Sequence, residues 1–383
     1  MVAPERIHSA FNARFGSGGR FYCAPGRVNL IGEHTDYNFG YVLPGAIDKA
    51  ITLEIRPNNS NAYRVYSLDY DDEVRFAAGE AKLPQAWANY VLGVVMEFHS
   101  RCFGVPGFDA VFAGDVPLGG GLSSSAALES AFAFAINDLF NYGLGKLELA
   151  QIGQSAEHKY AGVRCGIMDQ FASLHGEQGK LIQLDCRSLE HEMIPFAPAD
   201  WRIVLIDTHV KHSLASSEYN LRREQCEAGV KALQKRHTHV KSLRDVDLPM
   251  LEESRREMGE TVFSRCRYVV EENIRLLRGV GFLKAGDFTA FGKEMFASDA
   301  GLRHLYAVSC DELDHLVDTA AQLPGTAGAR MMGGGFGGCT INLVSETARE
   351  TLIARCSESF KNKFGHKPLV YDVVISDGAR RLS

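Results

Sequence analysis

Between Gly26 and Tyr37 the chain reads GRVNLIGEHTDY, which sets a guanidinium (Arg27), two carboxylates (Glu33, Asp36) and an imidazole (His34) around the apolar pair Leu30-Ile31. Carboxylates accept hydrogen bonds, while guanidinium and imidazole groups donate them. Together they could clamp a ligand rich in hydroxyl groups. A polar surface turn with an ordinary ion pair has the same composition. A second cluster, VPLGGGLSSSAA from Val116 to Ala127, runs Gly119, Gly120, Gly121, Leu122, Ser123, Ser124, Ser125. Its glycines let backbone amides approach an anion, and its serines add hydroxyl donors and a helix cap. The helix beyond it contributes a field favourable to phosphate. A glycine turn entering a serine-capped helix needs no ligand, and that alternative stands beside the first.

A third segment, Cys165-Gly166-Ile167-Met168-Asp169-Gln170-Phe171, holds one carboxylate in largely apolar company. Such a carboxylate needs a partner if it is buried and ionised, or else it caps a turn. A fourth, from Met331 to Cys339, formally satisfies G-x-G-x-x-G through Gly333, Gly335 and Gly338. It runs into the strand-like Thr340 to Val344, whereas a dinucleotide fingerprint opens a helix, so its glycines serve steric access. No G-x-x-x-x-G-K-[ST] loop and no H-R-D-x-x-x-x-N loop occurs.

The elements that must hold these segments can be read from pattern. Strands are expected at 21–23, 51–56, 63–67 and 74–76, with a solvated acidic turn from Asp69 to Glu73. A helix is expected from Trp87 to Cys102, its aromatic residues in the core. A strand at 108–112 leads to the glycine–serine loop and an alanine-rich helix ending near Phe140. The stretch 188–200, with Pro195 and Pro198, reads as the crossing into a second half. There the strand 201–207 precedes helices at about 217–235, 267–278 and 310–322, then strand 339–344, helix 347–364 and strand 369–375.

Bulk properties narrow the partners. A chain of 383 residues suggests two domains, and a net charge of −6 offers no general basic face for nucleic acid or an anionic membrane. The nine cysteines are odd in number, without C-x-x-C or zinc-type spacing, which fits a reduced, cytoplasmic protein. Neither a signal-type apolar stretch in Met1 to Arg20 nor a run of membrane-spanning length is present. The expectation is a cytoplasmic monomer that binds neither nucleic acid nor membrane.

Gly26 to Tyr37, with its continuation from Asn38 to Asp48, resembles the galactokinase signature. The glycine–serine loop and the Met331 to Cys339 loop resemble the second and third motifs of the wider GHMP superfamily of galactokinase, homoserine, mevalonate and phosphomevalonate kinases. All three occur in the family's order. The resemblance implies an α+β fold of two domains, 1–190 for sugar and nucleotide and 191–383 for the carboxy-terminal part. The first would be ribosomal-protein-S5-like and the second ferredoxin-like, with the active site in the cleft between them. It implies transfer of the γ-phosphate of ATP to the C1 hydroxyl of α-D-galactose.

By the same resemblance Gly119 to Ser125 bind ATP phosphates, and Ser125 and Glu157 hold Mg2+. Without it, Glu157 is an ordinary helix carboxylate. Asp169 would meet the reacting hydroxyl and Arg27 the carboxylate and the phosphate. Glu33, His34, Thr35, Asp36, Gly166 and Tyr219 would bind the sugar, although a Tyr near a helix start also suits packing. The alternatives are a kinase for N-acetylgalactosamine or arabinose, or a non-catalytic galactose sensor. The known sensor carries a deletion in the serine loop, which is uninterrupted here.

Overall fold

A computed structural model describes residues 2–117, 119–196, 198–210 and 215–382. Leu118 of the glycine–serine loop, and residues 211–214 ahead of Tyr219, lie outside the described residues. Two sheets carry the architecture. The first has six strands in the order Arg380–Arg381, Arg20–Asn29, Pro44–Pro57, Phe108–Gly114, Ala62–Ser67 and Asp72–Ala77. All neighbours are antiparallel except Ala62–Ser67 beside Phe108–Gly114.

The second sheet has four antiparallel strands, ordered Thr326–Met331, Cys339–Ser345, Trp201–Asp207 and Leu369–Val373. Counted along the chain, Trp201–Asp207 is its first strand, succeeded by helices, a two-strand hairpin, the helix Arg349–Phe364 and a last strand. That connectivity is ferredoxin-like, with a much enlarged first helical crossing. A small third sheet joins Tyr41–Val42, Lys180–Asp185 and His191–Pro195. The expected crossing at 188–200 therefore begins with a strand paired back onto Lys180–Asp185.

Helix Ser124–Leu139 lies at the centre of the first half. Its many alanines let it be buried nearly all round, with Ala126, Ala127, Ala131, Phe132, Ala133, Ala135 and Ile136 in the core. One apolar core continues from there through Leu122 and Met332 to Leu276, Phe291 and Ile341 in the second half. Residues of both halves can therefore line one site. No two of the nine cysteines are bonded, and among the described residues no helix is long and apolar enough to cross a membrane.

Several elements exceed what local pattern indicated. The expected helix at 267–278 runs from Glu260 to Lys284. Helices Pro4–Phe15 and Phe288–Gly301 and strand Thr326–Met331 were not anticipated. Thr326–Met331 (TAGARM) has only one β-branched residue, so its strand state comes from pairing with Cys339–Ser345.

Candidate active site between the two halves

Strand Arg20–Asn29 shifts register against Pro44–Pro57 between Pro25 and Arg27. Pro25 has no amide hydrogen to give the ladder, and such an irregularity rotates the residues beyond it. Arg27 N then donates to the Leu122 carbonyl at 3.1 Å, so the glycine–serine loop is tied to the strand just where it turns. The Arg27 side chain is directed to Asp169, with Nε 2.7 Å from Oδ1 and Nη2 3.0 Å from Oδ2. Two parallel bonds to one carboxylate suit the guanidinium fork. Nη1 donates to the Gly121 carbonyl, and the Ser123 hydroxyl donates to Asp169 Oδ2. Asp169 lies in the first turn of helix Met168–His175, where a carboxylate is favoured.

On one side of this pair is a cavity of about 110 Å³, lined by Arg27, Glu33, His34, Asp36, Asp169 and Tyr219 among others. Glu33 Oε1 accepts from Gly333 N at 2.8 Å and from Arg330 Nη2 at 3.1 Å. Arg330 has no solvent exposure and also donates to the carbonyls of Leu30 at 2.8 Å, Met331 at 2.6 Å and Asn29. Sequence reasoning missed it. The only signal was one arginine in the apolar run Ala329-Arg330-Met331-Met332, immediately before a glycine loop.

Gly166 is the other narrow point. A methyl group there would fall 2.0 Å from Asp36 Oδ2, so only glycine lets that carboxylate keep its place. Thr35 differs from expectation. It is wholly buried and does not line this cavity; its hydroxyl is engaged with the carbonyls of Gly32 and Tyr41, which closes the turn. Leu122 likewise gives its side chain to the core and its carbonyl to Arg27.

The electrostatics of the cavity are divided. Burial alone would neutralise Glu33, but Arg330, Arg27 and the Gly333 amide hold its carboxyl below the usual range. At Asp36 the Tyr37 amide and Arg27 do not offset the cost: burial first, then the charge of Asp169, pushes its pKa up to about 7. His34 is driven the other way by burial, to about 4, and is neutral.

A larger cavity of about 860 Å³ adjoins the glycine–serine loop. It reaches from Gly119, Ser124 and Ser125 to Trp87, Tyr90 and the acidic turn at Asp69 to Asp72. The rings of Tyr70 and Trp87 are parallel within 5° with centroids 6.2 Å apart. As expected, Trp87 belongs to the core with Tyr90 packed against it, and the acidic turn is exposed; both aromatic residues also line the cavity, which sequence reasoning did not anticipate.

Between the two cavities Ser125 Oγ is 3.2 Å from Glu157 Oε1. Glu157 Oε2 accepts from Gln170 Nε2 at 2.8 Å and from the Cys165 thiol at 3.3 Å. It begins a π-helical turn, Glu157–Ala161, a distortion often found at functional sites. Burial, and after it the nearby Asp169, pushes its pKa up to about 7. No group of three or more His, Cys, Asp or Glu is arranged to cage a metal among the described residues. A hydroxyl beside a carboxylate could supply two ligands to a divalent cation of the Mg2+ type, which takes its other ligands from water and phosphate oxygens.

The two glycine loops meet beside this point. Gly121 has φ +76° and Gly333 φ +82°, and a methyl on Gly333 would lie 3.2 Å from the Gly121 Cα. The third motif therefore acts by backbone approach to the second.

A phosphate-type loop from one half, closed by a glycine loop from the other, is also what the family models match. The galactokinase galactose-binding signature matches residues 9–57, and the N- and C-terminal domains of GHMP kinases match 89–177 and 280–362. Fold and site define a GHMP kinase. Galactokinases of Roseiflexus sp. (strain RS-1) and Thermotoga maritima are 41% and 42% identical to the chain, each over 94% of it and over 92% and 99% of their own lengths. The crystal structure of Lactococcus lactis galactokinase complexed with galactose matches with a TM-score of 0.95 at 34% identity, covering 99% of this chain and 100% of that one. Methanococcus jannaschii mevalonate kinase shares the fold alone, with a TM-score of 0.64 at 19% identity, covering 94% of this chain and 99% of that one. The chain belongs to the galactokinase family.

The buried charges set two expectations for stability. Arg330→Met leaves Glu33 buried without its main partner and should cost about 3–5 kcal/mol in urea unfolding. Adding Glu33→Gln to that variant should recover part of the loss. For Asp36, the folded pKa of about 7 lies above that of the unfolded chain. Its contribution is then complete below about pH 4 and is lost as pH rises through 7. Asp36→Asn should therefore be more stable than the parent at pH 8, by ~2 kcal/mol. The advantage should shrink at pH 5 in paired thermal melts.

Proposed function

We propose that the chain transfers the γ-phosphoryl group of ATP to the anomeric hydroxyl of α-D-galactose, with the sugar in the smaller cavity and the nucleotide in the larger. The observation that carries this is the Arg27–Asp169 pair. It is bonded to Gly121 and Ser123 of the glycine–serine loop and also lines the smaller cavity. A donor phosphate on that loop and an acceptor hydroxyl in that cavity would meet at one carboxylate and one guanidinium. The base would lie against Trp87 and Tyr70, and the phosphates along Gly119 to Ser125.

Asp169 accepts a hydrogen bond from the C1 hydroxyl and orients it toward the γ-phosphorus. A sugar hydroxyl is far less acidic than a carboxylic acid, so early proton removal by Asp169 would be costly. Phosphoryl transfer passes through a loose transition state that needs alignment and charge neutralisation more than a strong nucleophile. The sugar O–P bond therefore forms as the bond to the β–γ bridging oxygen breaks, and the hydroxyl proton passes late to Asp169. Arg27 neutralises charge on the transferring oxygens. Ser125 and Glu157 would hold Mg2+, which when bound offsets phosphate charge.

Around the sugar, Glu33 is anionic and accepts, Asp36 gains hydroxyl donors on binding, and Tyr219 supplies a phenol. A site built on such bonds discriminates against epimers that leave its buried groups unpaired.

The decisive assay measures ADP release from purified protein with galactose, glucose, N-acetylgalactosamine and arabinose side by side. Galactose should lead. Asp169→Asn should lower kcat by at least about a hundredfold while ATP still binds, and near-parent turnover would remove the proton-acceptor role. Gly166→Ala should displace Asp36 and raise the galactose KM at least about tenfold, with the ATP KM little changed. Galactose-dependent ATP binding without turnover of any sugar would mark a sensor.

A further inference from the structure

Behind the sugar cavity a line of polar atoms runs through an aromatic interior. His34 Nδ1 is 2.7 Å from the Tyr37 hydroxyl, which is 2.8 Å from the Tyr306 hydroxyl, itself 3.3 Å from Cys226 Sγ. All four residues are buried. The rings of Tyr37, Tyr219 and Tyr306 stand 5.8, 5.3 and 4.9 Å from the imidazole. The far nitrogen, His34 Nε2, is buried without a hydrogen-bond partner, although the Gly334 backbone is near enough to favour a proton on the ring. His34 lines the cavity. None of the three groups behind it has a part in the phosphoryl transfer described above.

Each hydroxyl has one proton to give, so the line has two self-consistent directions. Protons can point from Cys226 toward His34, which leaves Nε2 carrying the ring hydrogen. They can point the other way, which leaves Nε2 bare. The first ends in O–H···N to imidazole, the second in O–H···S to a weak sulfur acceptor. The distance also discriminates. A separation of 2.7 Å is ordinary for a hydroxyl donor and the short limit for an N–H donor.

We propose that the line Cys226–Tyr306–Tyr37 fixes His34 as its Nε2–H tautomer, making Tyr37 and Tyr306 positioning residues that present a donor, and no acceptor, to the sugar. This rests on the reading of His34 as a sugar contact. The clamp then reads polarity as well as shape. The sugar oxygen facing His34 must accept, while those facing Glu33 must donate.

The test uses the full-length protein with 15N-labelled imidazoles, without sugar, at pH 7, with the His34 signals identified by their loss in His34→Gln. Nε2 should be the protonated nitrogen. Tyr37→Phe keeps the ring but removes the fixing hydroxyl. It should mix the tautomers and raise the galactose KM about five- to tenfold, with kcat and the ATP KM within about twofold. Tyr306→Phe keeps Tyr37 and should shift the tautomer ratio less. A protonated Nδ1 in the parent protein overturns the proposal, as does a Tyr37→Phe protein with unchanged tautomer and KM. If Tyr37→Phe does not fold, the parent spectrum together with Tyr306→Phe decides. An Nε2–H spectrum in a protein that turns over no galactose would overturn the functional reading and leave the tautomer assignment standing.

Discussion

A guanidinium with no exposure to water must be satisfied by whatever folds around it, and at Arg330 that constraint organises the molecule. The residue belongs to the second sheet, yet two of its carbonyl acceptors, Asn29 and Leu30, lie at the end of strand Arg20–Asn29 in the first. Its carboxylate partner, Glu33, is also held by Gly333 of the loop just beyond Arg330. One buried charge thus joins the turn that carries Glu33, the end of strand Arg20–Asn29 and the third motif. Leaving any of these undone would strand a charge in a low-dielectric interior, which is far costlier than losing a surface pair. Glu272 repeats the device from helix Glu260–Lys284, accepting from Gly32 N at 2.9 Å and Ser298 Oγ at 2.6 Å. The turn from Gly32 to Asp36 is therefore shaped from behind by the second half of the chain.

Against this fixed frame the carboxylates facing the cavities are left in conflict. The charge of Asp169 adds to burial in raising the cost of ionising both Asp36 and Glu157, and of the three Asp169 has the arginine in direct contact. Glu129, wholly buried behind Glu157, is pushed well above the usual carboxyl range by burial and then by Glu157. Such crowding destabilises the empty protein and favours ligands that bring hydroxyl donors or positive charge. The same arrangement separates roles among similar groups. Arg27 grips Asp169 at the junction, while burial keeps His34 neutral.

How much of this was legible depended on whether chemistry or pairing carried it. Arg27, Glu33, His34 and Asp36 are close in sequence, so one turn brings them together, and the glycine–serine loop declared itself by composition. Asp169 is far from Arg27 in the chain, and its partner came from resemblance; locally it looked like a turn cap. Thr35 shows the opposite failure, for motif membership suggested a sugar contact where geometry gives a turn clamp. Arg330 and the strand around it were invisible because Thr326–Met331 has weak intrinsic strand preference and exists through its neighbours. Trp87 was correctly helix-proximal, but no periodicity distinguishes a core face from a cavity face when both are apolar.

Backbone conformation gives a last indication of what the frame is for. His34 and Ser123, neither a glycine, hold positive φ angles of 61° and 57°. Glycine would remove the strain at both places but would also remove the imidazole and the hydroxyl that reaches Asp169. Such conformations persist only where the surroundings over-determine them. At His34, Asn38 Nδ2 grips the carbonyl at 2.9 Å and Tyr37 the ring. At Ser123, the carbonyl accepts from Ala127 N at 3.0 Å as the helix begins. The two strained residues sit on opposite sides of the Arg27–Asp169 pair, one at the proposed acceptor and one at the proposed donor. At these two positions side-chain direction, more than local stability, would govern whether two substrates can meet.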